Sequence, residues 1–237
     1  MKAHSDALEI TANNLANINT VGFKGDRVFN TLLRESINDS GSPSEIGRTV
    51  NRSIRADRSI DHSGGEILST GRNLDVAIRG DGYLTIQTQQ GERYTRNGNL
   101  YLDSDSTLRT VDGNPVLGAS GRPITLGIGT IHISDNGGVH LNGEEVDRLR
   151  VVTFQDLSRL EKEGESRFFY TGEEPPTLRT DMMVVRSGYL ERANVNAVRS
   201  MIDMIGLLRH FESIQRSVAH EMNDMNSKVI DRLGRTT

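Results

Sequence analysis

The sequence predicts an α+β protein: a central, mainly antiparallel β domain flanked by N- and C-terminal helices that pair as a coiled coil. Three observations carry this. The C-terminal segment holds an unbroken alternation of three- and four-residue apolar steps. The middle of the chain consists of short alternating runs separated by turn glycines. Nothing in that middle shows the ten-residue helical pattern that a parallel α/β fold requires.

At the N-terminus, Leu8, Leu15 and Gly22 lie seven apart, with Thr11 and Ile18 between them and Ala12 and Ala16 widening the stripe. Polar Glu9, Asn13 and Asn17 fall off that seam, so the segment reads as a helix of 3.5–3.6 period. Its end is expected near Asn19–Gly22, where glycine can take a C-terminal cap. Residues 1–33 are assigned to this helix and its turn. Residues 34–70 have neither period and are rich in Ser, Asn, Arg and Gly; they read as an extended connector.

Residues 71–191 form the β-rich domain. Leu74, Val76 and Ile78 alternate, as do Leu84 and Ile86, and a further strand is expected at Met183-Val-Val. Asn97-Gly98, Asp112-Gly113, Asn136-Gly137 and Asn142-Gly143 sit between apolar runs, the dipeptide of a type I′ hairpin turn. Residues 192–237 supply the long helix. Met201, Met204, Leu208, Phe211, Gln215, Val218, Met222, Met225 and Val229 keep an a/d repeat with one polar intruder. Asn194 or Asn196 is the expected N-cap. Val198, Ile202 and Ile205 add a second stripe, so the first half of the helix should be buried on two sides. From Asn196 to Ile230 this helix would run ~50 Å. One short N-terminal helix cannot cover that length, so the seam calls for packing against other chains.

The 237 residues suffice for one or two domains with a sizeable core. With 28 basic against 32 acidic side chains, the net charge of −4 excludes a duplex nucleic-acid binder. There is no cysteine, which removes disulfides, thiolate zinc sites and thiol nucleophiles. No run approaches a membrane span, so membrane insertion is not expected. The N-terminal residues lack the apolar core of a secretory signal.

Motifs for catalysis fail on inspection. His4, His62, His132, His140, His210 and His220 include no i,i+4 pair, so metal and cofactor sites are not expected. Asp103-Ser-Asp105-Ser-Thr107 faintly resembles a calcium loop, but Leu108 stands where glycine is needed. Glu144, Glu145, Glu161, Glu163 and Glu165 could be paired acids of a glycosidase. That chemistry calls for aromatic platforms, and tryptophan is absent. A carbohydrate-binding or peptidoglycan-acting β domain is therefore the weaker alternative, and no catalytic residue is assigned.

One segment is more specific. Ala12-Asn13-Asn14-Leu15-Ala16-Asn17, followed by Thr20-Val-Gly22-Phe23-Lys24, resembles the N-terminal signature of the flagellar axial proteins of the rod and hook. Asn73-Leu-Asp-Val-Ala-Ile-Arg-Gly-Asp-Gly-Tyr83, Tyr94-Thr-Arg-Asn-Gly98 and Gly188-Tyr-Leu-Glu-Arg-Ala-Asn194-Val resemble further motifs of that family, with Ala193 where serine is usual. The central domain lacks the large insertions of the hook protein. Pro115-Val-Leu-Gly118 and the stretch from Met204 to Glu212 are closer to the proximal-rod branch, the distal-rod branch being the alternative. The resemblance implies a start about a turn earlier, with Met1-Lys-Ala expected to match the end of the family's usual first stretch.

The resemblance implies a structural subunit without cofactor, exported without a cleaved signal through the flagellar type III apparatus. It would polymerise in the periplasm with other rod and hook-basal-body proteins. Leu8, Leu15, Ile18, Met201, Met204, Leu208, Phe211, Val218, Met222 and Met225 would form the inner seam. Asn13, Asn14 and Asn17 would fix register, and Gly22 would turn the chain outward beside Phe23 and Lys24. Asn194 would open the last helix.

Overall fold

A computed structural model describes residues 2–34, 52–178 and 184–233. In chain order the elements are α1 (Lys2–Ala16), β1 (Asp26–Arg34), β2 (Arg52–Ile60), β3 (Ile67–Ser69), β4 (Val76–Arg79), β5 (Tyr83–Thr88), β6 (Gly91–Thr95), β7 (Leu100–Leu102) and β8 (Leu108–Thr110). They continue with β9 (Ile131–Ile133), β10 (Gly138–Leu141), β11 (Glu144–Arg148), β12 (Val151–Thr153), β13 (Leu160–Glu163), β14 (Arg167–Tyr170), β15 (Thr177–Leu178), β16 (Val184–Ser187), β17 (Tyr189–Glu191) and α2 (Ala197–Leu233). The architecture is α+β, with antiparallel strand pairing in the described sheets. Its backbone divides into two units. One holds Met1–Leu15, Asp26–Ser59 and Ala197–Thr237; the other holds Ala16–Gly25 and Ile60–Asn196.

In the first unit, α1 has Ala7 buried and Leu8, Ile10, Thr11, Asn14 and Leu15 half-buried, a single face at helical spacing. The helix ends at Ala16, three residues before the expected stop. The Asn17 carbonyl accepts Thr20 N–H at 3.0 Å, and the Asn17 Oδ1 accepts the Thr20 hydroxyl at 3.1 Å. This tight turn takes over the bonds another helical turn would have made. Strands β1 and β2 pair with each other. Strands β2 and β3 lie within the stretch expected to be an extended connector; residues 35–51 lie outside the described residues, as do Met1 and Met183.

Helix α2 is 37 residues long, about 55 Å at 1.5 Å per residue. It starts one residue after Asn196, which takes the cap position. Its sheltered positions are Met204, Leu207, Phe211 and Ile214, again at steps of three and four. Met204 and Phe211 belong to the predicted seam, with Leu207 and Ile214 sheltered beside them where the sequence pattern had Leu208 and Gln215. Met201, Leu208, Val218, Met222 and Met225 are exposed, as are Val198, Ile202 and Ile205. No coiled-coil pairing with α1 is established by these burials.

The second unit is built around β5. Its Leu84 and Ile86 enter an apolar cluster with Val76, Ile78, Leu100, Leu108, Val116 and Val151. Tyr83, on the opposite face, joins Tyr94, Val152, Leu160 and Phe168. Strand β5 is therefore buried on both faces, in a six-stranded sheet of order β13-β14-β6-β5-β12-β15. Of the four Asn/Asp-Gly pairs, Asn142-Gly143 has both residues left-handed, as a type I′ turn demands (φ 54° and 93°). At 112–113 and 136–137 only the glycine is left-handed. Asn97-Gly98 is no hairpin turn: a Cβ on Gly98 would lie 1.7 Å from the Val76 carbonyl oxygen, and the glycine is there for close backbone approach.

Candidate functional site

The resemblance motifs converge in the second unit on a buried ionic knot. Gly22, at φ +69°, turns the chain, and its N–H donates to the Glu191 carbonyl at 2.8 Å. A Cβ there would sit 2.4 Å from the Arg96 carbonyl carbon, so no larger residue fits. The turn delivers Phe23 and Lys24 inward, 1% and 0% exposed. Lys24 Nζ donates to Glu191 Oε1 at 2.6 Å and to the Ser63 carbonyl at 2.7 Å.

Glu191 ends β17, whose register pairs it with Ile67 of β3. Besides Lys24, its carboxylate accepts Gly65 N–H at 2.8 Å and Arg96 at 3.2 Å. Arg96, just beyond β6, also donates to the carbonyls of Ile78 at 3.2 Å and Gly80 at 2.7 Å. Its guanidinium lies 4.9 Å from the centre of the Tyr83 ring. One carboxylate thus serves two buried cations, and every segment that meets here depends on it.

Asn194 closes the knot. Its Oδ1 accepts Gly25 N–H at 2.7 Å, and its amide donates to the carbonyls of Asp61 at 2.8 Å and Ser63 at 3.1 Å. Of the two asparagines expected as the cap of α2, this one ties the two terminal segments to the strand connection at 61–65. Asn14 acts similarly in the first unit, exchanging hydrogen bonds with the Asp26 backbone at 2.8 and 2.9 Å. Asn13 is exposed and Ile18 half-buried.

Burial pushes the Lys24 ammonium below its ordinary pKa, and Glu191 pulls it part of the way back. Burial, then the charge of Lys24, lowers the His62 imidazole. Burial raises the Tyr83 phenol to about 12, keeping it protonated as the partner of His62 Nδ1 at 2.7 Å.

Two of the acids considered for carbohydrate chemistry, and three of the central aromatics, are engaged elsewhere. Glu163 pairs with Arg93 and Glu145 with Arg148. The Tyr94, Phe154 and Tyr170 rings pack on one another with centroids 4.7–4.8 Å apart. Asp103 caps its own loop, accepting Asp105 and Thr107 N–H at 3.0 and 2.8 Å and pairing with Arg109. Among the described residues no three His, Asp or Glu side chains share reach of one metal ion. No helix among them is long and apolar enough to cross a membrane.

Glu191 and Arg96 were not singled out from sequence, although both lie inside the quoted motifs. Their charge alone suggests solvated positions; only their place beside glycine-marked turns hinted otherwise.

Three family descriptions match the chain. "Flagella basal body rod protein" covers residues 1–24, "Flagellar hook protein FlgE/F/G D1 domain" residues 77–141, and "Flagellar basal body rod FlgEFG protein C-terminal" residues 186–232. The Bacillus subtilis flagellar basal-body rod protein FlgG is 35% identical, over 90% of this chain and 88% of its own. The Escherichia coli rod protein FlgF is 34% identical, over 91% and 87%. The Rhizobium meliloti FlgF is 32% identical, over 96% and 91%.

Proposed function

The chain belongs to the flagellar basal-body rod protein family, and from that premise we propose that it is a proximal-rod, FlgF-like subunit that assembles through its terminal helices. The observation that supports the assembly mode is the apolar surface of α2. Met201, Leu208, Val218, Met222 and Met225 all stay in solvent in the single chain. Helical faces of that length and spacing are stable when they pack against another helix. Neighbouring subunits would supply it, in open heterologous contacts that extend a rod and do not close a ring.

Delivery through the flagellar export apparatus to the periplasm is part of the same reading. The chain carries no cysteine to be oxidised on the way. The proximal assignment leans on Pro115-Val-Leu-Gly118 and on the α2 sequence from Met204 to Glu212. A distal-rod, FlgG-like position is the second reading, favoured by relatives of that name at similar identity.

Two experiments test this. Leu208→Asp in the native organism should abolish swimming and rod completion while the purified protein keeps a folded β unit; normal swimming would refute the seam. Basal bodies from a strain lacking the chain separate the two positions. Loss of a proximal subunit leaves no distal rod protein attached. Loss of a distal one leaves a stub that still carries its proximal neighbour.

A further inference from the structure

Outside the knot, the described structure brings together two histidines that no sequence spacing connects. His132 on β9 and His140 on β10 are directly paired across the antiparallel ladder. Their Cα atoms are therefore about 5 Å apart with both side chains on one face of the sheet. The ring centroids are 6.3 Å apart and tilted by 37°. That face is open: His132 is exposed and His140 half-buried, while Ile133 and Val139 point into the core from the other side.

We propose that His132 and His140 form a two-imidazole site for a borderline divalent cation of the zinc, nickel or copper class, with water filling the remaining positions. Imidazole nitrogen binds such ions at ~2.0–2.1 Å, which places the centroids of two ligating rings between about 5 and 6.4 Å apart. A tetrahedral ion needs centroids about 5.2 Å apart; the observed 6.3 Å is wider, so a small turn of the exposed His132 side chain has to close the pair around it. The surroundings fix a tautomer that suits ligation. The Ser134 hydroxyl donates to Asn136 Oδ1 at 2.6 Å, which leaves its lone pairs to accept from His140 Nε2 at 3.2 Å. A proton held on Nε2 leaves the lone pair on Nδ1, the arrangement that orients ligating histidines elsewhere.

Glu145 is the cross-strand partner of His140 on its other side, but its carboxylate is held by Arg148 at 3.2 Å, so the site has two protein donors. Gly138 lets Ser134 approach, since a Cβ there would lie 2.8 Å from Ser134 Oγ. An ion bound to both rings ties β9 to β10 and stabilises the three-stranded sheet, by an amount that rises with the logarithm of the free ion concentration above its Kd.

The test uses the full chain and zinc chloride, with magnesium chloride as the hard-cation control. Calorimetry and histidine NMR resonances report binding. The expected result is binding of zinc but not magnesium, with His132 and His140 resonances shifting together. His132→Asn and His140→Asn should each weaken binding at least ~10-fold. If His140→Asn disturbs the hairpin, the exposed His132→Asn decides alone. No zinc response in the wild type, or a response that survives in the double variant, overturns the proposal.

Discussion

Glu191→Gln isolates the energetics of the knot. The substitution keeps the shape and one acceptor oxygen but removes the carboxylate that Lys24 and Arg96 share. Both cations then lose that buried counter-charge, Asp61 remaining as a weaker attraction on Lys24; Lys24 is 0% and Arg96 4% exposed. Removing one partner from a buried ion pair costs about 3–5 kcal/mol. At roughly 2–4 °C per kcal/mol for a unit of this size, the β unit should melt about 6–20 °C lower. Lys24→Met should cost less, because Glu191 keeps Arg96 and Gly65 N–H while an apolar chain of similar volume replaces the ammonium. Lys24→Met combined with Glu191→Gln should be less destabilised than the two single costs added together. Urea denaturation and thermal melts of the full chain measure all three. Loss of less than about 1 kcal/mol in Glu191→Gln, or a greater loss in Lys24→Met, would show that the knot is not held by its shared carboxylate.

Gly22→Ala should destabilise the β unit by at least about 2 kcal/mol, since left-handed strain adds to a backbone collision. Gly71→Ala, equally left-handed but in open space, should cost only about 1 kcal/mol, and equal losses in the two melts would remove the steric argument. His62 is lowered below its ordinary value in the fold, so its contribution to stability is complete above about pH 6.5 and falls away as the pH drops toward the folded value. Denaturation between pH 7.5 and 5.5 should show stability falling, with a shallower slope in His62→Gln. A fragment of residues 71–191 should be less stable than the β unit of the full chain. It lacks Lys24, the Ser63 carbonyl and β3, the strand that pairs with β17; equal urea midpoints would show these to be dispensable.

Much of the architecture follows from local pattern. The length of α2 is written in its unbroken run of three- and four-residue steps, whereas of four Asn/Asp-Gly pairs only Asn142-Gly143 takes two left-handed residues. The alternation of Leu74, Val76 and Ile78 likewise marks a face that the structure buries. Local pattern was less decisive where two stripes compete. On α2 the sheltered seam runs through Leu207 and Ile214, one residue from Leu208 and Gln215, because periodicity fixes a face only to within about one helical position (~100°).

The sequence by itself determined the α+β class, the long terminal helix and the motifs that place the chain among flagellar rod proteins. All of these rest on spacing within a few turns or strands, or on residue strings read directly. Tertiary structure alone decided that Lys24 meets Glu191, 167 residues away, and that Arg96 shares the same carboxylate. It also decided that Asn194 holds the strand connection at 61–65 and does not cap a helix, and that His132 faces His140. Such partnerships are set by which strands pair and in what register. A one-residue slip in that register would send Glu191, His132 and His140 to the opposite face.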